Sequence, residues 1–106
     1  MVRCYLAGKI TGIDREQCLI KFAAAHQAVK KAMPDVMCVN PMAIVPEGTD
    51  WYLAMRICIK SLVTCEYMYL CDDWEESEGA RLEVIIAKKL GIKILKGGKN
   101  VSRTNG

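Results

Sequence analysis

The chain has 106 residues, of which 52% are hydrophobic and 25% are charged, a composition that is typical of globular proteins and excludes an intrinsically disordered chain. This length supports one hydrophobic core, and the formal charge of +3 is too small by itself to indicate a protein that binds polynucleotides. There is no run of roughly 20 apolar residues and no secretion signal, so we expect a soluble, cytoplasmic protein without a membrane partner.

The first predicted element is a buried strand at residues 2–7, an apolar run that stops at a turn containing Gly8 and Gly12. Asp14 can cap the long helix that follows, and Pro34 ends it. The apolar positions of this helix recur at the helical period, which predicts one buried face. These positions are Cys18, Phe22, Ala25, Val29 and Met33.

A second strand is predicted at residues 36–40, where the Asn40-Pro41 pair favours an extended exit into a loop that lasts until Asp50. Asp50 can cap a second helix over residues 51–64. Apolar residues occupy more sides of this helix than packing against one sheet requires. We therefore expect a homodimer or a larger homo-oligomer, in which another subunit covers the remaining side.

A third strand is predicted at residues 66–71, followed by an acidic loop and by a third helix that begins after Ser77. Residues 92–95 form the fourth predicted strand. Strands that alternate with helical connections predict an α/β fold with a parallel sheet of about four strands. We expect residues 1–96 to form one domain and the polar residues 97–106 to form a flexible tail.

The cysteines do not form a pattern that holds a metal or a disulfide framework. They are scattered over predicted helices and strands at Cys4, Cys18, Cys38, Cys58, Cys65 and Cys71. No pair has the Cys-x-x-Cys spacing, and His26 is the only histidine, so we predict reduced, mostly buried thiols and no metal site. The basic residues near the C-terminus lack interleaved aromatic residues, which argues against a polynucleotide partner.

Two loops are candidates for a ligand site, because open parallel sheets bind ligands beyond the carboxyl ends of their strands. The first is the glycine-containing turn at residues 8–12, where the backbone can approach a ligand, although a plain turn is the alternative. The second follows the third strand. There Asp72 and Asp73 could bind sugar hydroxyls or donate a proton, and Trp74 could stack on a base. Solvated carboxylates and a packing role for the tryptophan are the alternatives.

Glu83 is the most unusual residue of the third helix, because its neighbours one turn away are small or apolar. These neighbours are Gly79, Ala80, Ile86 and Ala87. A carboxylate on such a face is costly unless it is solvated in a cleft or paired. Helix geometry leaves open a surface carboxylate or an ion pair with Arg81 or Lys89.

Several segments, taken in order, resemble the nucleoside 2-deoxyribosyltransferase-like proteins, and in particular a small, functionally unassigned branch from bacteria and their phages. The segments are Tyr-Leu-Ala-Gly-Lys-Ile-Thr-Gly at residues 5–12, Asn40-Pro41, Trp-Glu-Glu-Ser-Glu-Gly-Ala-Arg-Leu-Glu at residues 74–83, Ala87, and Leu90-Gly91. The resemblance covers nearly all of the chain before the predicted tail. It implies a flavodoxin-like fold, with helices on both faces of the sheet.

The resemblance also implies an activity, namely cleavage or exchange of the N-glycosidic bond of a deoxynucleoside or its 5′-phosphate, without a cofactor or metal. Glu83 occupies the position of the nucleophile, and Tyr5 that of the tyrosine that orients it. Small neighbours such as Gly79 would leave room for the sugar. The residues expected to contact substrate are Gly8, Lys9, Ile10, Thr11, Gly12, Asp72, Asp73, Trp74, Ser77 and Gly79.

Two residues depart from the pattern of the active transferases. Cys58 stands where relatives commonly have an aspartate in the second helix, and Ser77 stands nearest to the position of an acid in the loop before the nucleophile. These departures leave a second hypothesis open, a catalytically inactive module that binds a nucleotide-like ligand. A third is a structural interaction protein that uses its apolar second helix and binds no ligand.

Overall fold

The sheet has four parallel strands. The computed structural model describes residues 1–96, and the tail predicted for residues 97–106 lies outside them. The strands are β1 (Arg3–Ala7), β2 (Met37–Val39), β3 (Tyr67–Leu70) and β4 (Lys93–Lys96), in the order β2-β1-β3-β4. All three neighbouring pairs are parallel. The prediction of an α/β fold with an open parallel sheet of about four strands is therefore confirmed.

The helices of the described chain are α1 (Arg15–Ala32), α2 (Pro41–Ile44), α3 (Trp51–Leu62) and α4 (Glu78–Lys89), and a 3-10 turn at Trp74–Glu76 precedes α4. Three of them begin at the caps that the sequence predicts. The side chains of Asp14, Asp50 and Ser77 each accept a hydrogen bond from the backbone N–H three residues later. The third helix of the sequence prediction is thus α4.

The single-turn helix α2 was not predicted, because the Asn40-Pro41 pair indicated an extended exit into a loop. Asn40 itself is extended, as expected of a residue before proline, but its side-chain oxygen accepts a hydrogen bond from the N–H of Met42 at 2.9 Å. Pro41 takes the first helical position, where its missing N–H costs no hydrogen bond. The same dipeptide therefore begins a short helix.

Helices cover both faces of the sheet, as the flavodoxin-like prediction requires. Successive residues of a strand point to opposite faces, so Cys4 and Leu6 of β1 pack in one core cluster with residues of α1. Tyr5 and Ala7 pack in the other cluster, with residues of α3 and α4. This alternation places the Tyr5 side chain on the same face of the sheet as α4.

The chain order creates a cleft beside the end of β1. From β1 the chain continues through α1 to β2 on one side, whereas β3 lies on the other side of β1 and continues through α4 to β4. Because α1 and α4 lie on opposite faces, the turns after β1 and β3 diverge at the carboxyl edge of the sheet. Open α/β sheets bind their ligands at such a point.

Other sequence expectations concern membranes and thiols. Within residues 1–96, no helix has both the length and the apolar character needed to cross a membrane. The six cysteines have free thiols, and all but Cys38 are buried. Burial raises the pKa of Cys4 to about 12 and that of Cys71 to about 11. These two thiols are therefore neutral at physiological pH and pack as small apolar side chains.

Candidate functional site

A cavity of about 390 Å³ opens at the carboxyl edge of the sheet, within the range of roughly 300–1,000 Å³ that small-molecule sites occupy. Its walls come from β1 and the turn after it, from residues 41–49, from α3 and from the first turns of α4. Most lining residues are apolar or small, and Arg15, Glu47 and Glu83 supply the formal charges. Such a cavity can hold a small organic molecule by shape and by a few polar contacts.

Glu83 lies at the wall of this cavity and is 5% exposed. The Tyr5 hydroxyl donates a hydrogen bond to its Oε2 at 2.8 Å, which joins the middle of β1 to α4. The alternatives of a surface carboxylate or an ion pair with Arg81 or Lys89 do not describe it, since the ion pairs found among residues 1–96 do not include Glu83. The carboxyl group is buried, fixed by one neutral donor and adjacent to empty space.

The two oxygens of the Glu83 carboxyl have different environments. Oε2 accepts the hydrogen bond from Tyr5, whereas Oε1 has no hydrogen-bond partner in the described part of the chain. No buried side-chain oxygen or nitrogen there is left without a partner, so Oε1 must be the accessible atom, and the cavity is the space beside it. One oxygen is held, and the other is available to a ligand.

The protonation of Glu83 is balanced close to neutral pH. Burial raises the pKa of the carboxyl to about 7, and the hydrogen bond from Tyr5 opposes this rise. Burial also raises the pKa of Tyr5 well above its usual range, so the phenol keeps its proton and remains a donor. Perturbed carboxyl groups in a cleft are characteristic of catalytic sites.

Cys58 lies on the cavity wall, on α3, where the resemblance places an aspartate in relatives. Burial raises the pKa of its thiol to about 11, although an interaction with the Tyr5 hydroxyl opposes this rise. The thiol is therefore neutral and adds no charge next to Glu83. An aspartate at this position would place a second carboxylate beside the first, so the electrostatic character of this cavity differs from that of a site with two acids.

The structure brings many of the predicted site residues together at the cavity. The predicted residues that line it are Tyr5, Gly8, Ile10, Thr11, Ser77, Gly79 and Glu83. The predicted residues outside the lining are Lys9, Gly12, Asp72, Asp73 and Trp74. Whether any of these residues contacts a substrate stays a prediction.

The predicted residues outside the cavity lining have other contacts, are exposed to solvent or are explained by turn geometry. Asp73 accepts hydrogen bonds from Lys21 and from the backbone N–H of Lys9. Trp74 packs against the core cluster on the α4 face, and Asp72 is exposed. Gly12 has a φ of 83°, which explains a glycine at this turn without a ligand. For Trp74 and Gly12, packing and turn geometry are sufficient explanations.

Gly79 lines the cavity and also lies against α3. That its small size leaves room for a sugar stays a prediction. A Cβ atom at this position would lie 2.8 Å from Sδ of Met55 and 3.8 Å from Nε1 of Trp51. The space beside Gly79 is thus filled by side chains of α3, and the glycine permits α3 and α4 to pack closely.

Sequence reasoning missed two charged lining residues, Arg15 and Glu47. They come from the first turn of α1 and from the segment after α2, and Nε of Arg15 lies 3.6 Å from Oε1 of Glu47. The segment around Glu47 follows β2, whose carboxyl end reaches the same edge of the sheet as that of β1. Parallel strand order alone could have indicated this segment, but no local motif marks either residue.

Gly8 lines the cavity and also contacts the end of β3. A Cβ atom at this position would lie 2.9 Å from Cβ of Cys71, which cannot move without its backbone, and 3.3 Å from Oδ1 of Asp73. We therefore expect Gly8→Ala to lower the free energy of unfolding by about 1–3 kcal/mol, as overpacking does, measured by urea denaturation. Thr11→Ala, at an exposed residue of the same turn, should change it by less than about 0.5 kcal/mol. Equal stabilities of Gly8→Ala and the wild type would contradict this packing.

Residues 2–96 match the family described as "Domain of unknown function (DUF4406)". This match spans all the helices and strands described above. No curated protein matches the chain.

Proposed function

The chain belongs to the family of DUF4406 domains, and we propose that this member cleaves or exchanges the N-glycosidic bond of a deoxynucleoside or deoxynucleotide, with Glu83 as the nucleophile. The observation that carries the proposal is the Glu83 carboxyl. It is buried, one oxygen is held by Tyr5, and the other opens into a cavity of a size suited to a small molecule. The resemblance to nucleoside 2-deoxyribosyltransferase-like proteins supports the choice of reaction.

The proposed reaction has two steps, and both use the same carboxyl. Oε1 attacks C1′ of the deoxyribosyl group, the bond from C1′ to the base nitrogen breaks, and the base leaves with the bonding electrons and takes a proton from water. The product is a glycosyl ester on Glu83. Water or a second base then attacks C1′ and loses a proton to solvent, the ester bond breaks, and the carboxylate is restored.

Tyr5 would contribute orientation and charge stabilisation. Its hydrogen bond at 2.8 Å fixes Oε2, which limits rotation of the carboxyl and aims Oε1 at the cavity. A carboxylate at this place also stabilises the positive charge that develops at C1′ in the transition state. The attack requires the ionised form of Glu83, so a pKa of about 7 predicts activity that rises as pH increases through neutrality.

The proposal is tested by incubating the protein with a panel of deoxynucleosides and their 5′-monophosphates and separating the products by chromatography. We expect released base from at least one member of the panel. A labelled acceptor base distinguishes exchange, which incorporates the label, from hydrolysis, which does not. The proposal is wrong if no member of the panel loses its base.

The second candidate function is a binding module that holds a nucleotide-like ligand in the same cavity without turnover. Cys58 is the observation that favours it, because a neutral thiol replaces an acid that relatives place beside the nucleophile. Isothermal titration calorimetry with the same panel separates the two candidates. Binding of an intact nucleoside or nucleotide without release of base favours the module.

We also propose a homodimer or larger homo-oligomer. On α3, Tyr52 is 74% exposed and Leu53 is 48% exposed, and Val63 after the helix is 49% exposed. A second subunit would remove this apolar surface from water. Light scattering at micromolar concentration should give at least twice the mass of one chain, whereas the mass of a single chain would contradict the proposal.

A further inference from the structure

One residue of the turn after β1 has both of its backbone polar groups bound by a pair of charged side chains. The N–H of Lys9 donates to Oδ1 of Asp73 at 3.1 Å, and the carbonyl oxygen of Lys9 accepts from Nζ of Lys21. Nζ of Lys21 also lies 2.6 Å from Oδ2 of Asp73. Lys21 of α1 and Asp73 of the turn after β3 thus both hydrogen-bond to the backbone of Lys9.

The ion pair between Lys21 and Asp73 is less exposed to solvent than the other two ion pairs found within residues 1–96. The side chains of Lys21 and Asp73 are 23% and 24% exposed, whereas each of the other pairs has a partner that is at least 70% exposed. Burial raises the pKa of Asp73, but the hydrogen bonds from Lys21 and from the Lys9 amide outweigh it and lower the pKa. Asp73 is therefore ionised at neutral pH, and both of its oxygens are occupied.

The ion pair lies outside the cavity but next to its wall. Lys21 and Asp73 do not line the cavity, whereas Gly8 and Ile10, the two chain neighbours of Lys9, do. Gly8 also approaches Cys71 so closely that a Cβ atom there would lie 2.9 Å from the Cβ of Cys71. Holding the backbone of Lys9 thus fixes the position of two wall residues relative to β3.

We infer that Lys21 and Asp73 are positioning residues that hold the turn after β1 in the shape that receives the ligand, through the two hydrogen bonds to the Lys9 backbone. Asp73 thus acts on the site indirectly, by holding the turn. The effect of this inference on kinetics rests on the proposed function. The claim that the ion pair holds the turn does not depend on the reaction.

The kinetic test uses Lys21→Met and Asp73→Ala, with release of base as the assay. A loosened turn should raise KM roughly tenfold while kcat changes by less than about twofold, because Glu83 and Tyr5 are untouched. The pH dependence of kcat should stay as in the wild type. The matched control is Glu76→Gln, which removes only the contact of the Lys9 ammonium with Glu76 at 4.0 Å, whose side chain is 70% exposed. Its KM should equal that of the wild type.

A second measurement, hydrogen exchange of the backbone amides, needs no turnover. Asp73→Ala should speed exchange at Lys9 at least roughly tenfold without changing exchange in β1 and β3, because the N–H loses its acceptor. Faster exchange together with a raised KM supports the inference, and unchanged exchange or an unchanged KM overturns it. If the wild type releases no base, the proposed function fails, and the exchange at Lys9 alone then decides whether the ion pair holds the turn.

Discussion

Glu83→Gln should lower kcat/KM for release of base at least about a thousandfold, because an amide oxygen cannot form the glycosyl ester. Glutamine has nearly the same shape as glutamate and can still accept the hydrogen bond of Tyr5. A loss of activity would therefore report the loss of the nucleophile rather than a change in packing. The measurement is the initial rate of base release from the best substrate of the panel.

The matched control for this substitution is Glu75→Gln, at an exposed carboxylate outside the cavity lining. It should leave kcat/KM within about twofold of the wild type. Retention of more than a tenth of the wild-type rate by Glu83→Gln would contradict the role of Glu83. It would show that another group forms the covalent bond to the sugar or that the reaction needs no such bond.

Tyr5 sets the pH range of the same reaction. Burial raises the pKa of Glu83 to about 7, and the hydrogen bond from Tyr5 opposes this rise. Loss of this hydrogen bond in Tyr5→Phe should raise the pKa further and move the rising limb of the kcat/KM profile to higher pH. The variant should lose most activity near neutral pH and recover part of it at alkaline pH. A profile that is scaled down at every pH, without a shift, would mean that Tyr5 acts only on the orientation of the carboxyl.

Glu83→Gln should also stabilise the protein by about 3 kcal/mol at alkaline pH and by less than about 1 kcal/mol at pH 5. The reason is proton linkage. The pKa of Glu83 rises from its usual value of 4.5 to about 7 on folding, so the folded state holds a proton that the unfolded state releases between these values. The contribution of Glu83 to stability is complete below about pH 4.5 and is lost as pH rises through about 7. Glutamine does not titrate, so the variant does not lose stability in this way as pH rises.

Urea denaturation of the wild type and Glu83→Gln at pH 5 and pH 8.5 measures this effect. The difference in unfolding free energy between the two proteins should grow from less than about 1 kcal/mol at pH 5 to about 3 kcal/mol at pH 8.5. Glu75→Gln should follow the wild type at both values, since Glu75 is exposed. An equal difference at the two pH values would mean that Glu83 is as solvated in the folded protein as in the unfolded one.

Much of the fold could be predicted from the sequence because its signals are local. Asp14, Asp50 and Ser77 begin helices α1, α3 and α4 as hydrogen-bonded caps, and each cap depends only on the next few residues. The helical connections between strands predict their parallel pairing, whereas the order β2-β1-β3-β4 was not predicted. The helix α2 was not predicted, because Asn40-Pro41 can either continue the strand into an extended loop or begin a helix.

Part of the candidate site was also predictable, and the rest depends on contacts that are distant in sequence. Glu83 could be selected because a carboxylate among small and apolar neighbours is costly on a helix. Its bond to Tyr5 joins residues 78 positions apart, and only the resemblance suggested it. The contacts of Asp73 with Lys21 and with Lys9 span 52 and 64 positions, and acidic loop residues have no local pattern that predicts such partners.

The most direct test of Glu83 as the nucleophile is mass spectrometry of the protein after reaction with a 2-deoxy-2-fluoroarabinosyl nucleoside. The electronegative fluorine slows hydrolysis of the ester through an oxocarbenium-like transition state, so the covalent intermediate should accumulate. The result that we predict is a mass increase of one fluorinated glycosyl group, located on Glu83 in the digested protein and absent from Glu83→Gln. Release of base without an adduct, or an adduct on another residue, would contradict the role of Glu83.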